Sequence, residues 1–237
     1  FEPETGGAVA MMDAGLLTAI RTAAASAVAT RALARADARH LVLVGTGEQA
    51  VHHLTAIRAV RPLASVHVVG RTLPKAATFA QAARAAHPGV TVTHGEGVRD
   101  AVARADILCT LTSSAQPVLH GAWLLDGVHV NIVGASVPSK REVDDALVRR
   151  AAIWVDFRAS ALAQAGELVD MIRAGRITPD HLRGEIGQVL AGAIPGRSDD
   201  AQITAYRSLG VIAQDLACAA HVLAAAEQAG RGTVVAF

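Results

Sequence analysis

The stretch "HLVLVGTGEQAVHHL", residues 40–54, decides the fold of this 237-residue chain. An apolar, β-branched run ends at Gly45, Gly47 follows, and Ala50 stands where a third small residue belongs. A continuous run of that kind reads as a strand buried on both faces. "EQAVHHLTAIRAV" continues as a helix and is stopped by Pro62. In a strand–turn–helix setting, Gly45 permits the tight turn and Gly47 leaves room for a pyrophosphate against the backbone. Ala50 lets the helix pack on the strand. Thr46, Glu48 and Gln49 border the same turn. The helix N-terminus adds free N–H groups and a positive dipole end. No Lys-Ser/Thr pair follows the glycines, so the turn is not a P-loop. The plain alternative is a close-packed corner with no ligand.

Outward from this turn, strands and helices alternate. "SVHVVGR", "VTVTHG", "DILCTLTSS", "VHVNIVGAS" and "AIWVDFR" are the further strands. With the first they predict a doubly wound α/β fold with a six-stranded parallel sheet. Asp13 is placed to cap a helix through "GLLTAIRTAAASAVATRALAR". Its small residues allow another backbone or a ligand to come close. Helices are also expected at "HGAWLLDG", at "ALAQAGELVDMIRAG", at "TPDHLRGEIGQVLAG" with Thr178 as N-cap and Pro179 in the first turn, and at 209–229. "FEPETGGAVAMMD" reads as a strand-like opening with turn chemistry at "ETGG". The chain therefore reads as starting inside a structural unit, with a segment expected upstream.

Composition excludes several classes. Basic and acidic residues number 22 and 21, for a formal net charge of +1, which gives no electrostatic case for nucleic acid or membrane binding. Aromatics are 3%, too few for base-stacking platforms. Cys109 and Cys218 lie far apart and read as small hydrophobes, and no metal-ligand cluster stands out. No apolar stretch is long enough to span a bilayer and no signal peptide is evident, so a cytoplasmic location is expected.

The end of the second strand bears on the ligand. An NAD site places Asp or Glu there, about 20 residues past the glycines, to hold the ribose 2′-hydroxyl. This chain has Gly70, Arg71 and Thr72 instead. Arg71 can pair with a 2′-phosphate and Thr72 can add a hydroxyl, which favours NADP(H) over NAD(H). The alternative is a solvated loop arginine. Topology alone also places Thr110, Thr112, Ser113, Val133, Gly134 and Ser136 near such a ligand, at the carboxyl ends of strands four and five. Serines and threonines there can equally cap the next element. His52, His53, His120 and His129 read as structural or solvent-facing.

"LTAIRTAAASAVAT", "VGTGEQA", "ADILCTLTSSAQPVL", "VNIVGASVPSKREVDD" and "AYRSLGVIAQD", in this order and spacing, resemble the ornithine cyclodeaminase/mu-crystallin family over essentially the whole chain. The resemblance implies a Rossmann domain at 31–205. It implies a dimerisation and substrate domain represented by 1–30 and by a returning helix at 206–237. It also implies a homodimer and a small imino or amino acid as substrate. By the same resemblance Arg21 contacts the cofactor phosphates, and Glu48 and Gln49 lie beside the dinucleotide. Gly70, Arg71 and Thr72 hold the adenosine ribose, and Thr110 or Thr112, Val133 and Gly134 run along the cofactor. Leu209 lies near the nicotinamide and Gly210 near the substrate.

Two departures matter. Cyclodeaminases carry an aspartate, the proposed acid/base, where this chain has Ser136, and a serine without a partner base is a poor proton acceptor. Ketimine reductases of the family resemble this chain in having serine there. The family's carboxylate-clamping arginine and lysine precede the segment present here. The expected activity is NAD(P)H-dependent reduction of a cyclic imino acid, pyrroline- or piperideine-2-carboxylate. The alternatives are an NAD-dependent ornithine cyclodeaminase or alanine dehydrogenase, and a non-catalytic, crystallin-like NADPH binder.

Overall fold

The computed structural model describes residues 1–2 and 4–235. Its centre is an eight-stranded sheet in the order β3-β2-β1-β4-β5-β8-β6-β7, parallel throughout. The strands are β1 His40–Val44, β2 Ser65–Val69, β3 Thr91–Gly95, β4 Ile107–Thr110, β5 His129–Ile132, β6 Ala152–Val155, β7 Leu182–Glu185 and β8 Thr204–Arg207. The helices are α1 Ala14–Leu33, α2 Glu48–Val60, α3 Leu73–Ala86, α4 Val98–Val102, α5 Asp145–Arg150, α6 Arg158–Gln164, α7 Gly166–Arg173, α8 Ile186–Leu190 and α9 Ile212–Gln228. The chain order reverses between β1 and β4, which is where a doubly wound sheet opens its ligand crevice.

Both faces of the sheet are covered. Val42 and Val44 of β1 join Leu108, Val130, Ile132, Ile153 and Val155 in a core under α4 to α7. Leu41 and Leu43 face the other way, with Val66, Val68 and Ile107, under α2 and α3. Alternate residues on opposite faces are what a pleated strand requires. On the second face α1 covers the sheet's far half through Ala29 and Leu33, against Trp154 and Tyr206. Asp13 caps α1, its Oδ1 accepting the Gly15 N–H at 2.8 Å. At the other end the Arg61 guanidinium donates to the Thr30 and Ala34 carbonyls, satisfying acceptors that a helix terminus leaves bare.

The sheet has two strands more than the sequence predicts. "TPDHLRGEIGQVLAG" contains Leu182, Ile186, Val189 and Leu190 at helical spacing. It forms a 3-10 turn at Pro179–His181, then β7, then the short α8. Pairing with β6 at the sheet edge overrides the helical pattern. β8 is four residues long, carries an arginine, and lies wholly buried between β5 and β6. "HGAWLLDG" is a 3-10 turn at Gly121–Trp123 and not a helix. "ETGG" does form a turn, with the Glu2 N–H to Gly7 O and the Gly6 N–H to Glu2 O both at 2.9 Å, but no strand flanks it.

Candidate active site

The glycine turn opens into a cleft of two parts. Gly45 has φ +128°, and a side chain there would meet Leu111 O at 2.6 Å, so only glycine fits. A Cβ on Gly47 would meet nothing within 4 Å, which leaves its face open to a ligand. Ala50 is fully buried on the sheet-facing side of α2, as the packing role requires. No side chain caps α2, and Glu48 and Gln49 of its first turn line the opening.

The outer part, about 990 Å³, lies over β1 to β3 and is lined by Gly45 to Gly47, Gly70, Arg71, Lys75 and Thr112, among others. Arg71 and Lys75 are both exposed. The end of β2 carries no carboxylate, but the fold brings one in from the end of β3. Glu96 lines this cavity, and its Oε1 accepts the Leu73 N–H at 2.7 Å. That bond caps the start of α3. The inner part, about 490 Å³, lies over β4, β5 and β8. It gathers Arg21, Gly47, Glu48, Gln49, Thr112, Val133, Gly134, Ser136, Leu209 and Gly210. Residues far apart in sequence thus meet in one cleft.

Two expected residues do not line either part. Thr110 is fully buried, and its hydroxyl donates to Glu142 Oε2 at 2.9 Å. Thr72 opens α3 at the exposed surface, without a side-chain cap bond. Arg21 is fixed by α9: its Nε meets Asp215 Oδ1 at 2.8 Å and its Nη1 donates to Gln214 Oε1 at 3.2 Å. Ser136 is exposed at the inner part, and among the described residues it makes no hydrogen bond to a base. Leu209 and Gly210 are held through their backbone N–H groups, which donate to Asp156 Oδ2 at 2.6 and 2.5 Å.

Three buried charges behind the inner part escape a reading of the sequence. Glu142 accepts from Thr110, from Thr112 twice, and from the Gly134 N–H. Burial pushes its carboxyl above the ordinary value, and these hydrogen bonds pull it partly back. Arg207 and Glu167 are each 1% exposed, with Nε and Oε1 in ion-pair contact at 2.5 Å, off the hydrogen-bond line. The Arg207 guanidinium also donates to Ala135 O and to Ser208 O, tying the loop after β5 to the loop after β8. Asp156 ends β6, so the rule that ligands lie beyond carboxyl strand ends points at it. Glu142 and Glu167 sit in charged, helix-like text with no such marker.

Behind the glycine turn, His53 is buried between α1 and α2. Its Nδ1–H donates to Gln49 O at 2.8 Å, so its Nε2 accepts the Ser26 hydroxyl at 2.9 Å. Burial lowers its pKa to about 4 and keeps it neutral. Cys109 is buried, with its thiol pushed up to about 12 by burial, and is inert at neutral pH. Among the described residues no group of His, Cys, Asp and Glu could hold a metal ion, and no helix is long and apolar enough to cross a membrane.

Comparison with known proteins agrees with this fold. The ornithine cyclodeaminase/mu-crystallin family matches residues 1–230. The chain is 34% identical to the ketimine reductase mu-crystallin of Mus musculus, over 92% of this chain and 66% of the relative, just under two thirds of its length. It is 34% identical to the Delta(1)-pyrroline-2-carboxylate reductase of Bacillus thuringiensis subsp. konkukian, over 99% of this chain and 72% of the relative. The Thermococcus litoralis Delta(1)-pyrroline-2-carboxylate reductase, solved in complex with NADH and L-proline, superposes with a TM-score of 0.95 at 32% identity, over 99% of this chain and 72% of that one. The chain belongs to the ornithine cyclodeaminase/mu-crystallin family.

Proposed function

We propose that this chain serves NAD(P)H-dependent reduction of cyclic imino acids, with pyrroline- or piperideine-2-carboxylate as substrate. The observation that carries this is the inner cleft, where the glycine turn, Arg21, Ser136 and the Leu209–Gly210 loop converge. Gly45, at a positive φ that glycine takes freely, and the open face of Gly47 fit a pyrophosphate laid against the backbone. The relatives' reductase names and the NADH and L-proline of the Thermococcus structure support the same reading.

When bound, the nicotinamide cofactor supplies the hydride; the protein's task is to hold both reactants and exclude water. The outer cleft takes the adenosine half, over β1 to β3, and the inner cleft the nicotinamide half. Arg21, immobilised by Asp215 and Gln214, offers a fixed positive charge. Ser136 offers a hydroxyl but no base, which suits reduction of an imine already formed better than removal of a proton from an amine. Arg71 and Lys75 both reach the outer cleft and support NADP(H) over NAD(H). Glu96 is already engaged in capping α3.

The apolar residues left bare on α1 and α9 support a homodimer or a helical domain packed there, with 1–30 and 206–237 as its remnant. Ile212 is 75% and Leu216 63% exposed, and Leu16 and Ile20 are exposed beside them. A cytoplasmic setting fits the absence of disulfides among the described residues.

The test is calorimetry with NADPH and NADH, followed by reduced-cofactor oxidation with each cyclic imine. Tighter NADPH binding and imine-dependent oxidation are expected. Ammonia release from ornithine without imine reduction would replace the reading with cyclodeamination. Arg71→Glu is expected to weaken NADPH more than NADH; an equal effect on both removes the 2′-phosphate role.

A further inference from the structure

Glu142 is buried, takes no part in the reaction proposed above, and is engaged on both oxygens. Oε1 accepts the Thr112 N–H at 2.6 Å and the Thr112 hydroxyl at 2.7 Å. Oε2 accepts the Gly134 N–H at 2.7 Å and the Thr110 hydroxyl at 2.9 Å. We propose that Glu142 is a positioning residue for the nicotinamide half of the cofactor, fixing from behind the two loops whose front faces form the inner cleft. This rests on the reading that the cleft binds a nicotinamide dinucleotide.

The loops in question follow β4 and β5. They touch: a Cβ on Gly134 would lie 2.1 Å from Thr112 O. Such contact between two irregular backbones leaves N–H groups that neither loop can pair within itself, and a buried unpaired N–H is costly. The Thr112 N–H has Glu142 as its acceptor, and the Gly134 N–H donates both to Glu142 at 2.7 Å and to Thr110 O at 3.2 Å. The opposite faces of the same residues, with Ser113 and Val133, line the inner cleft. The outer cleft meets this wall at residues 111–114 and at Val118, and its glycine turn and cations belong to β1, β2 and α3. A change at Glu142 therefore reaches the inner half and spares most of the outer one.

Glutamine tests the point without removing volume. It has one acceptor oxygen and one NH2 group. Whichever way it turns, the NH2 faces a backbone N–H, either that of Thr112 or that of Gly134. One loop then loses its anchor.

The experiment is a fluorescence and calorimetric titration of wild type, Glu142→Gln and Thr110→Val. The ligands are the reduced dinucleotide that wild type binds more tightly and the matching ADP-ribose fragment, which lacks nicotinamide. Glu142→Gln is expected to weaken the whole cofactor about tenfold and the fragment less than about twofold. The emission of the bound reduced nicotinamide should shift toward that of the free cofactor. Thr110→Val removes one donor without touching the cleft and should show the same pattern at about threefold. It also carries the test if Glu142→Gln does not fold. Equal weakening of both ligands, or unchanged affinity and emission for both variants, overturns the proposal. If wild type binds neither ligand, the cofactor reading itself fails, an outcome distinct from the other two.

Discussion

The outer half of the cleft presents Arg71 and Lys75 to solvent over a floor of glycines, whereas the inner half rests on charges that solvent never reaches. In the outer half the proposed dinucleotide would meet backbone and exposed side chains, which recognise charge at little structural cost. In the inner half Glu142, Asp156 and the Arg207–Glu167 pair hold three loops by their backbone groups. A phosphate tolerates small displacements of a flexible cation. A hydride donor and its acceptor do not tolerate loose walls, because orientation carries much of the rate. On the proposed function the contrast is between gripping one end of a cofactor and aiming the other.

The largest test removes a charge from the inner half. Arg207→Met leaves Glu167 buried without its partner and should cost about 3–5 kcal/mol in urea unfolding. Adding Glu167→Leu should recover most of that loss. A single-variant cost below about 1 kcal/mol would show that the inner half does not depend on its buried charges.

Acid probes the junction between the halves. His53 is neutral when folded and has its pKa lowered to about 4, while in the unfolded chain it protonates near 6.5. The unfolded state then binds more protons, so stability is fully present above pH 6.5 and is lost as the pH falls toward 4. The loss from this group is up to about 3 kcal/mol. His129, lowered to about 3 by burial, adds a loss of the same sign. Glu142, raised by burial, acts in the opposite sense. The difference between wild type and His53→Gln isolates the first group: the two should converge at acid pH. Parallel pH curves would contradict the buried neutral histidine.

Asp156→Asn should loosen only the inner half. One oxygen cannot serve Phe157, Leu209 and Gly210 as the carboxylate does. Hydrogen exchange at Leu209 and Gly210 should quicken by about 1–3 kcal/mol of local stability. Unchanged protection there breaks the claim that Asp156 sets this loop. Lys75→Ala is the smallest test. It should alter stability by less than about 0.5 kcal/mol and weaken NADPH without affecting NADH, as read by thermal melts and calorimetry. A large stability loss would mean that the outer half, too, is built on its charges.

The outer half was open to a reader of the sequence because its devices are local. Gly45, Gly47 and Ala50 lie within one turn, and Arg71 follows the next strand. The inner half was not, because its devices join distant residues. Nothing local marks Thr204–Arg207 as a strand, since its four residues show no alternation and end in a cation. Its identity depends on β5 and β6 standing on either side. The same holds for Glu142, whose burial is settled by Thr110, Thr112 and Gly134 and not by the charged residues around it. Family resemblance supplied Leu209 and Gly210, and strand-end topology supplied Ser136, but neither supplied what holds them. Thr110 shows a related limit: position at a strand end does not say which way a side chain faces, and its hydroxyl turns inward to Glu142.

The position of β8 also constrains how the molecule is made. It is the last strand in the chain, yet it pairs on both sides with strands from some 50 to 75 residues earlier. Until residue 207 is available, β5 and β6 each present an open parallel edge, and non-local pairing of this kind closes slowly. During synthesis the half bearing the glycine turn can assemble first, while the half that aims the chemistry waits for its final strand. Chains shortened before residue 204 should therefore collect as aggregates through those open edges, even though the dinucleotide turn is intact in them.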